Sequence, residues 1–340
     1  MELNKFDFNN YRDLLDRYIL KQDESALYQA EQFTKLSMQN NILPEEFINI
    51  HIQALKELYP DLPKEICASL NFLLETMISY GLAYQEFQTL REKQGELESE
   101  ISVAASMQQT LLSTTKPEIS GLDIGAISVP ANRMNGDYHH FVKDESNNLG
   151  IAIADVIGKG IPAALAMSMI KYALDSFPES QLSPSVILEN LNRVVERNVD
   201  TNMFITMFYG FFDSKNSVLQ YASAGHEPGF YYCAKEDKFI EIKAKGLVLG
   251  VTPDAIYEQF ELKLEKDDIV ILLTDGVTEC RIGERFIESE EVLHVIRQYI
   301  HLPAQEAVEK VFKYFERIQD FHLRDDFTLI FLKKKRFNDK

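Results

Sequence analysis

Cysteine is scarce: Cys67, Cys233 and Cys280 lie far apart, form no CxxC pair and cannot all pair with one another. Neither a disulfide framework nor a zinc knuckle is indicated, and the thiols are expected to be reduced. Basic residues are also in deficit, with 35 Lys and Arg against 53 Asp and Glu and a formal charge of −18. Phosphate binding needs clustered cations, so this balance opposes nonspecific binding to nucleic acid or anionic lipid. The one basic run, Lys333 to Arg336, is short and terminal and reads as the solvated end of a strand. No apolar run approaches the roughly 20 residues that span a bilayer. The start, MELNKFDFNNYRDLL, lacks a cationic segment followed by a hydrophobic one, so the expected location is the cytoplasm.

What is present is a chain of 340 residues, 45% hydrophobic and 26% charged, long enough for two domains and a sizeable core. Residues 1 to about 80 read as a small all-helical bundle. Tyr11, Leu14, Leu15, Tyr18 and Ile19 fall at helical spacing, an Ala26 to Met38 segment follows, and Pro44 leads a third helix through Leu58. Pro60 and Pro63 end that helix, and a fourth runs through Ile66, Leu70, Leu73, Leu74, Met77 and Ile78. His51 has no second ligand type at i+3 or i+4 and reads as a structural or surface residue.

From Tyr80 the apolar pattern tightens to spacings of three and four: Ala83, Phe87, Leu90, Gln94, Leu97, Ile101, Ala104, Gln108, Leu111. That is a heptad seam over a linker of residues 81–115. Glutamine at two core positions and the adjacent Gly95 predict a weak coiled coil, or a helix that docks differently in different states. On that reading leucine at 94 and 108 would strengthen the seam and raise activity without an activator. Permanent packing of a connecting helix on the next domain is the alternative.

Residues 116–340 change grammar, reading as strands at Gly121 to Pro130 and Tyr138 to Lys143, then helices from Ile161 to Phe177 and Pro184 to Asn198. A β-rich stretch, two more helices and a last strand from Phe327 to Leu332 complete an order that suggests helices over largely antiparallel sheets. Within it, Gly150 to Ala164 runs GIAIADVIGKGIPAA. Ile151 to Ala154 leave no polar alternation and read as a strand covered on both faces, ending in a single acid, Asp155. Burying a carboxylate there costs several kcal/mol unless a cation, water or hydrogen bonds compensate, which points to a metal or catalytic role. A helix N-cap or turn aspartate is the plainer account, and the stretch alone leaves both open. Ile269 to Thr274 repeats the pattern, ending at Asp275-Gly276. Asn135-Gly136-Asp137 is either a hairpin turn or a third acidic site, and Asp325-Asp326 precede the last strand.

If these acids converge, they form an oxygen-rich negative cavity that repels itself unless protonated or filled by hard divalent cations. Carboxylates and waters favour Mg²⁺ or Mn²⁺ over Zn²⁺. Two such ions can activate a bridging water for in-line attack on phosphorus, so hydrolysis of a phosphate ester follows with no side-chain nucleophile.

NGD at 135–137, DVIGKG at 155–160, TDGVTE at 274–279 and DDFT at 325–328, in this order, resemble the metal-dependent protein phosphatase (PPM) superfamily in its bacterial sporulation and stress-response branch. AGHEPG at 224–229 and the helical front region extend that resemblance to the whole chain. The resemblance implies an α+β fold, an αββα sandwich preceded by the bundle and linker helix, and serine dephosphorylation of a protein. It implies Asp137, Asp155, the Val156 carbonyl, Asp275 and Asp325 as ligands of two Mn²⁺ or Mg²⁺ ions, with Asp325 preferred to Asp326. Gly136 and His140 are further candidates, although Asn135 and His140 stand where the branch usually has glycine and aspartate. His139 and His140 remain open between groups beside the site and surface histidines.

The substrate so implied is a phosphorylated anti-anti-sigma protein, giving positive control of a stress-response sigma factor. A switch-kinase-like activator would bind residues 1–80, and the protein would be a homodimer. Regulation is expected to run from Leu97 and Ile101 in the linker to Gly158, Gly160 and Ile161, where the metal-binding turn meets the next helix. A noncatalytic signalling module that kept the fold is the alternative. TDGVTE is not an aspartyl-phosphate DxDGT motif, because Leu273 holds the place of the first acid. GKG lacks P-loop spacing, and NGDYH falls short of a cyclase GGDEF signature.

Overall fold

The computed structural model describes residues 8–39, 42–158, 160–177, 183–199, 203–282 and 285–335; Lys159 of the glycine-rich turn and Arg336 of the basic run lie outside them. The chain divides into two units, Met1–Ser99 and Glu100–Lys340.

The first unit holds α1 (Phe8–Lys21), α2 (Glu24–Gln39), α3 (Pro44–Leu58) and the larger part of α4 (Lys64–Leu112). Tyr11 anchors it: the buried ring lies 5.4 Å from that of Phe33 and 5.3 Å from that of Phe47, and its hydroxyl meets His51 Nδ1 at 2.8 Å. His51 is thus structural, and burial holds its pKa down. Helix α4 begins after Pro63 and runs unbroken through Gly95, so the fourth bundle helix and the heptad segment are one element. Tyr80, Phe87, Leu90, Leu97, Ile101 and Leu111 are exposed along it. By length and composition α4 qualifies as able to cross a membrane, with an 18-residue window of mean hydropathy 1.3. The window average admits isolated polar residues, and one helix that passes by length and composition is weak evidence, so the expectation drawn from the lack of an uninterrupted apolar run is not overturned.

In the second unit the strands and helices follow as β1 (Leu122–Val129), β2 (Asp137–Lys143), β3 (Leu149–Val156), α5 (Ile161–Ser176), α6 (Pro184–Asn198), β4 (Ile205–Asp213), β5 (Val218–Ala224), β6 (Gly229–Cys233) and β7 (Lys238–Ile242). Then come β8 (Phe260–Lys263), β9 (Ile269–Leu273), the single turn α7 (Asp275–Thr278), the short pair β10 (Arg281–Ile282) and β11 (Arg285–Phe286), α8 (Ser289–Tyr299), α9 (Ala304–Ile318) and β12 (Phe327–Lys334). Local chemistry sets several boundaries. Gly160, at φ 78°, precedes α5, which carries proline in its first turn. Glu288 and Glu291 form a reciprocal capping box at α8.

Two five-stranded antiparallel sheets form, ordered β1-β12-β9-β6-β7 and β2-β3-β4-β5-β8. Alternation along each strand sends side chains to opposite faces. On β3, Ile151 and Ile153 pack between the sheets with Phe141, Phe208, Val270, Leu272 and Ile330. Ala152, Ala154 and Val156 face the other way, onto α5 and α6 with Met167, Ile170, Leu188 and Leu191. The other sheet packs outward on α8 and α9 through Ile271, Leu273, Val308, Phe312 and Phe315. The result is the expected four-layer αββα sandwich. Sequence reading did not find β8, α7, β10 or β11, which span two to four residues each.

Candidate metal centre

Strand register brings the acids together. Asp137 opens β2 and Asp155 nearly closes β3, and the antiparallel register pairs them directly. Asp275 follows β9 and Asp325 precedes β12, strands whose register pairs Leu273 with Leu329. One sheet therefore contributes Asp137 and Asp155, and the other Asp275 and Asp325. The NGD segment is not a hairpin turn, because β1 and β2 belong to different sheets.

Cross-links between the sheets set the geometry. Buried Thr274 donates its hydroxyl to Asp137 Oδ2 at 2.7 Å and accepts the Thr328 amide at 3.1 Å. Asp326 accepts the Ala131 amide at 2.7 Å and the Gly136 amide at 2.5 Å. Its carboxylate is thereby committed to shaping the loop that carries Asp137. Two glycines permit these approaches: a Cβ on Gly276 would lie 1.9 Å from the Asp326 carbonyl oxygen, and one on Gly136 would lie 3.2 Å from Asp326 Oδ2 and 3.6 Å from the Val156 and Gly158 carbonyls.

Asp137 is buried, and its pKa stands well above the usual carboxylate range. Desolvation is the main cause, with the Asp155 and Asp326 charges adding to it and the Thr274 and Thr328 hydroxyls opposing it. Asp275 is pushed up to about 6 by desolvation, then by Asp325, Glu279 and Glu227. Glu227 is itself raised, chiefly by burial, and meets Thr278 Oγ1 at 3.4 Å. Among the described residues no three His, Cys, Asp or Glu side chains close into a cage. The candidate donors are nonetheless carboxylate oxygens, with the Val156 carbonyl beside them, and burial penalises the charge of Asp137 and Asp275. They fit hard divalent cations.

A cleft of about 450 Å³ beside the acids is lined by Ile101, Arg133, Met134, Gly136, Gly160, Asp325 and Asp326. Two regulatory candidates, Ile101 and Gly160, thus border it. Gly158 takes φ 142°, and Ile161 is exposed at the start of α5. Leu97 is exposed and belongs to the other unit.

Two expectations are corrected. His140 lies three positions from Asp137 on one strand, so it faces the helix layer: Nε2 is 3.0 Å from Asp175 and Nδ1 is 3.2 Å from Thr114 Oγ1. It is His139 that shares the acids' face, with its pKa pushed down to about 4 by desolvation and by His140. Gln108 is not a weak point in an exposed seam. It is 5% exposed and bonded to the main chain of Asn135, whereas Gln94 is exposed and bonded to Glu98. Leucine at 108 would remove two hydrogen bonds rather than extend a seam.

Sequence reasoning assigned no role to Thr274, Glu227, Arg133 or His226. His226, within AGHEPG, is buried with Nδ1 at 2.9 Å from Thr206 Oγ1, and Thr206 pairs with Asp155 in register. Carboxylates from two apposed antiparallel sheets, at the end of an αββα sandwich, define the class of metal-dependent protein phosphatases.

Comparison with known proteins agrees. Residues 145–335 match the family described as Stage II sporulation protein E, and residues 9–83 match the N-terminal domain of the phosphoserine phosphatase RsbU. The chain is 54% identical over 335 residues to the phosphoserine phosphatase RsbU of Bacillus subtilis, covering 98% of this chain and 100% of that one. In fold it is similar to the SiaA-PP2C domain of Pseudomonas aeruginosa, with a TM-score of 0.59, 19% identity and coverage of 71% of this chain and 98% of that one. It is similar also to the RsbU and RsbW domains of a Mycobacterium tuberculosis protein, with a TM-score of 0.57, 22% identity and coverage of 66% and 62%. The chain belongs to the RsbU family of phosphoserine phosphatases, within the metal-dependent protein phosphatases.

Proposed function

We propose that the protein removes phosphate from a phosphoserine on an anti-anti-sigma protein, using two Mn²⁺ or Mg²⁺ ions held by Asp137, Asp155, the Val156 carbonyl, Asp275 and Asp325. The observation that carries this reading is the convergence of mutually repelling carboxylates from both sheets, Asp137 buried and Asp155, Asp275 and Asp325 half-buried, with Asp137 and Asp275 held above their usual range. Bound there, the cations supply a deprotonated water and a counter-charge for the phosphoryl oxygens. The chain's own residues do the rest. Thr274 and Asp326 fix the Asp137 loop, and Glu227 and Glu279 add negative charge beside Asp275. Arg133 borders the cleft with a guanidinium suited to an anionic phosphate ester.

The reading extends to regulation. Residues 1–80 serve as the docking domain for a switch-kinase-like activator and as a dimer contact, 81–115 as the linker and 116–340 as the phosphatase domain of a cytoplasmic enzyme. The exposed apolar residues of α4 support a protein contact along it. Ile101 and Gly160, at one cleft, support a route from the linker to the Asp155 turn.

The test is hydrolysis of a generic phosphate ester and of a phosphoserine protein substrate, with Mn²⁺ and activator present. Wild type is expected to be active, and a folded Asp155→Asn variant silent. Equal silence of both preparations would favour a noncatalytic module.

A further inference from the structure

We infer that Gln108, in the last turns of α4, is a positioning residue for Asp137. The inference rests on the reading of Asp137 as a metal ligand. Gln108 is buried where its neighbours on the helix, Met107 and Gln109, are exposed. Its carboxamide satisfies both main-chain groups of a single residue: Nε2 donates to the Asn135 carbonyl at 2.6 Å, and Oε1 accepts the Asn135 amide at 3.0 Å. A strand neighbour would normally supply that pair of bonds. Asn135 has none, because it lies in the loop that passes from one sheet to the other. Flipping the carboxamide would set donor against donor and acceptor against acceptor, so the pairing fixes its orientation.

Asn135 passes the constraint on by two routes. Its Oδ1 accepts the Asp137 amide at 3.0 Å. Its Nδ2 donates to Ser128 Oγ at 2.9 Å, which lies 2.8 Å from Thr328 Oγ1, and that hydroxyl bears on the Asp137 carboxylate. One glutamine side chain thus pins the main chain two residues before the acid, and Asn135 holds the acid's amide and its hydroxyl partner. All of these residues lie in the unit Glu100–Lys340. Among ordinary side chains, a planar donor-acceptor pair at this reach belongs to glutamine.

The test uses the full-length protein with Gln108→Met, which keeps length and helix propensity and removes both bonds; Gln109→Met is the control. Amide hydrogen exchange across residues 135–137 should quicken about tenfold in Gln108→Met and not in the control. Half-saturation by Mn²⁺ in a binding titration should weaken by about tenfold, with kcat at saturating Mn²⁺ retained. A folded Gln108→Met protein with wild-type exchange and wild-type Mn²⁺ affinity overturns the inference. If Gln108→Met does not fold, Gln108→Glu, which keeps the acceptor and loses the donor, is judged by the same two measurements. Quickened exchange in a protein whose Asp155→Asn variant binds Mn²⁺ as wild type does would leave the clamp standing and sink the metal reading instead.

Discussion

Thr274→Val isolates the hydroxyl that ties the two sheets together at the acids. The substitution keeps volume in a fully buried position while deleting the donor to Asp137 Oδ2 and the acceptor for the Thr328 amide. A hydrogen bond to a carboxylate contributes about 1.5–3 kcal/mol. Since about 1.4 kcal/mol is tenfold in an equilibrium constant, Mn²⁺ binding should weaken roughly 10- to 100-fold, in the range found for partners that orient ligands. The direction is set by Asp137 itself. Burial already disfavours its anion, and the Thr274 hydroxyl is one of two groups that oppose this. Without that hydroxyl a cation must recruit a still more reluctant carboxylate. The assay is the Mn²⁺ dependence of phosphoserine hydrolysis, with calorimetric Mn²⁺ affinity alongside, and Thr274→Ser should recover most of the loss. Wild-type Mn²⁺ affinity in a folded Thr274→Val protein would refute the claim that this bond shapes the site.

The terminal acid pair should separate cleanly: Asp325→Asn loses Mn²⁺-dependent turnover at near wild-type Tm, whereas Asp326→Asn weakens the bonds to Ala131 and Gly136 and lowers Tm by on the order of 5 °C. The same thermal and kinetic measurements on both variants check this, and turnover retained in Asp325→Asn would exchange their roles. His226 predicts an acid-sensitive fold. Burial lowers its pKa from 6.5 to about 4, so the unfolded chain binds the extra proton, and stability that is complete above about pH 6.5 falls as pH drops, by about 3 kcal/mol at pH 4. Urea unfolding of wild type and His226→Gln across that window should show the difference between them narrowing on acidification; a constant difference would mean that His226 does not titrate in this way.

Much of the candidate site is legible in the sequence because apolar strands ending in an acid are conspicuous. Ile151 to Asp155 and Ile269 to Asp275 stood out for that reason, and the antiparallel order of the sheets then brought 137, 155, 275 and 325 to one end. The choice left open between His139 and His140 is decided by strand alternation: residues three apart on a strand point to opposite faces, so His140 faces away from Asp137. Gln108 is a different case. Helical spacing places it in a seam, but its partner lies 27 residues away in a loop with no regular pattern, and only folding shows that the carboxamide meets Asn135. Thr274 stood within a recognised motif, yet its role depends on a residue 137 positions earlier on the other sheet.

These long-range links share a physical logic. Asp137 and Asp155 ride on one sheet, Asp275 and Asp325 on the other, so the geometry offered to a cation is the geometry of sheet packing. Between the sheets lies an apolar layer of Ile124, Phe141, Ile153, Phe208, Leu272 and Ile330, which fixes their spacing but, being non-directional, gives little resistance to small slides. Directional bonds supply that resistance where it matters: Thr274 to Asp137, Asp326 to Gly136, and Ser128 to Thr328 with Asn135 above them. Gln108 adds to that set from a helix that belongs to neither sheet. On the inference above, a change at the end of α4 would reach Asp137 through Asn135 and its loop rather than through the apolar layer.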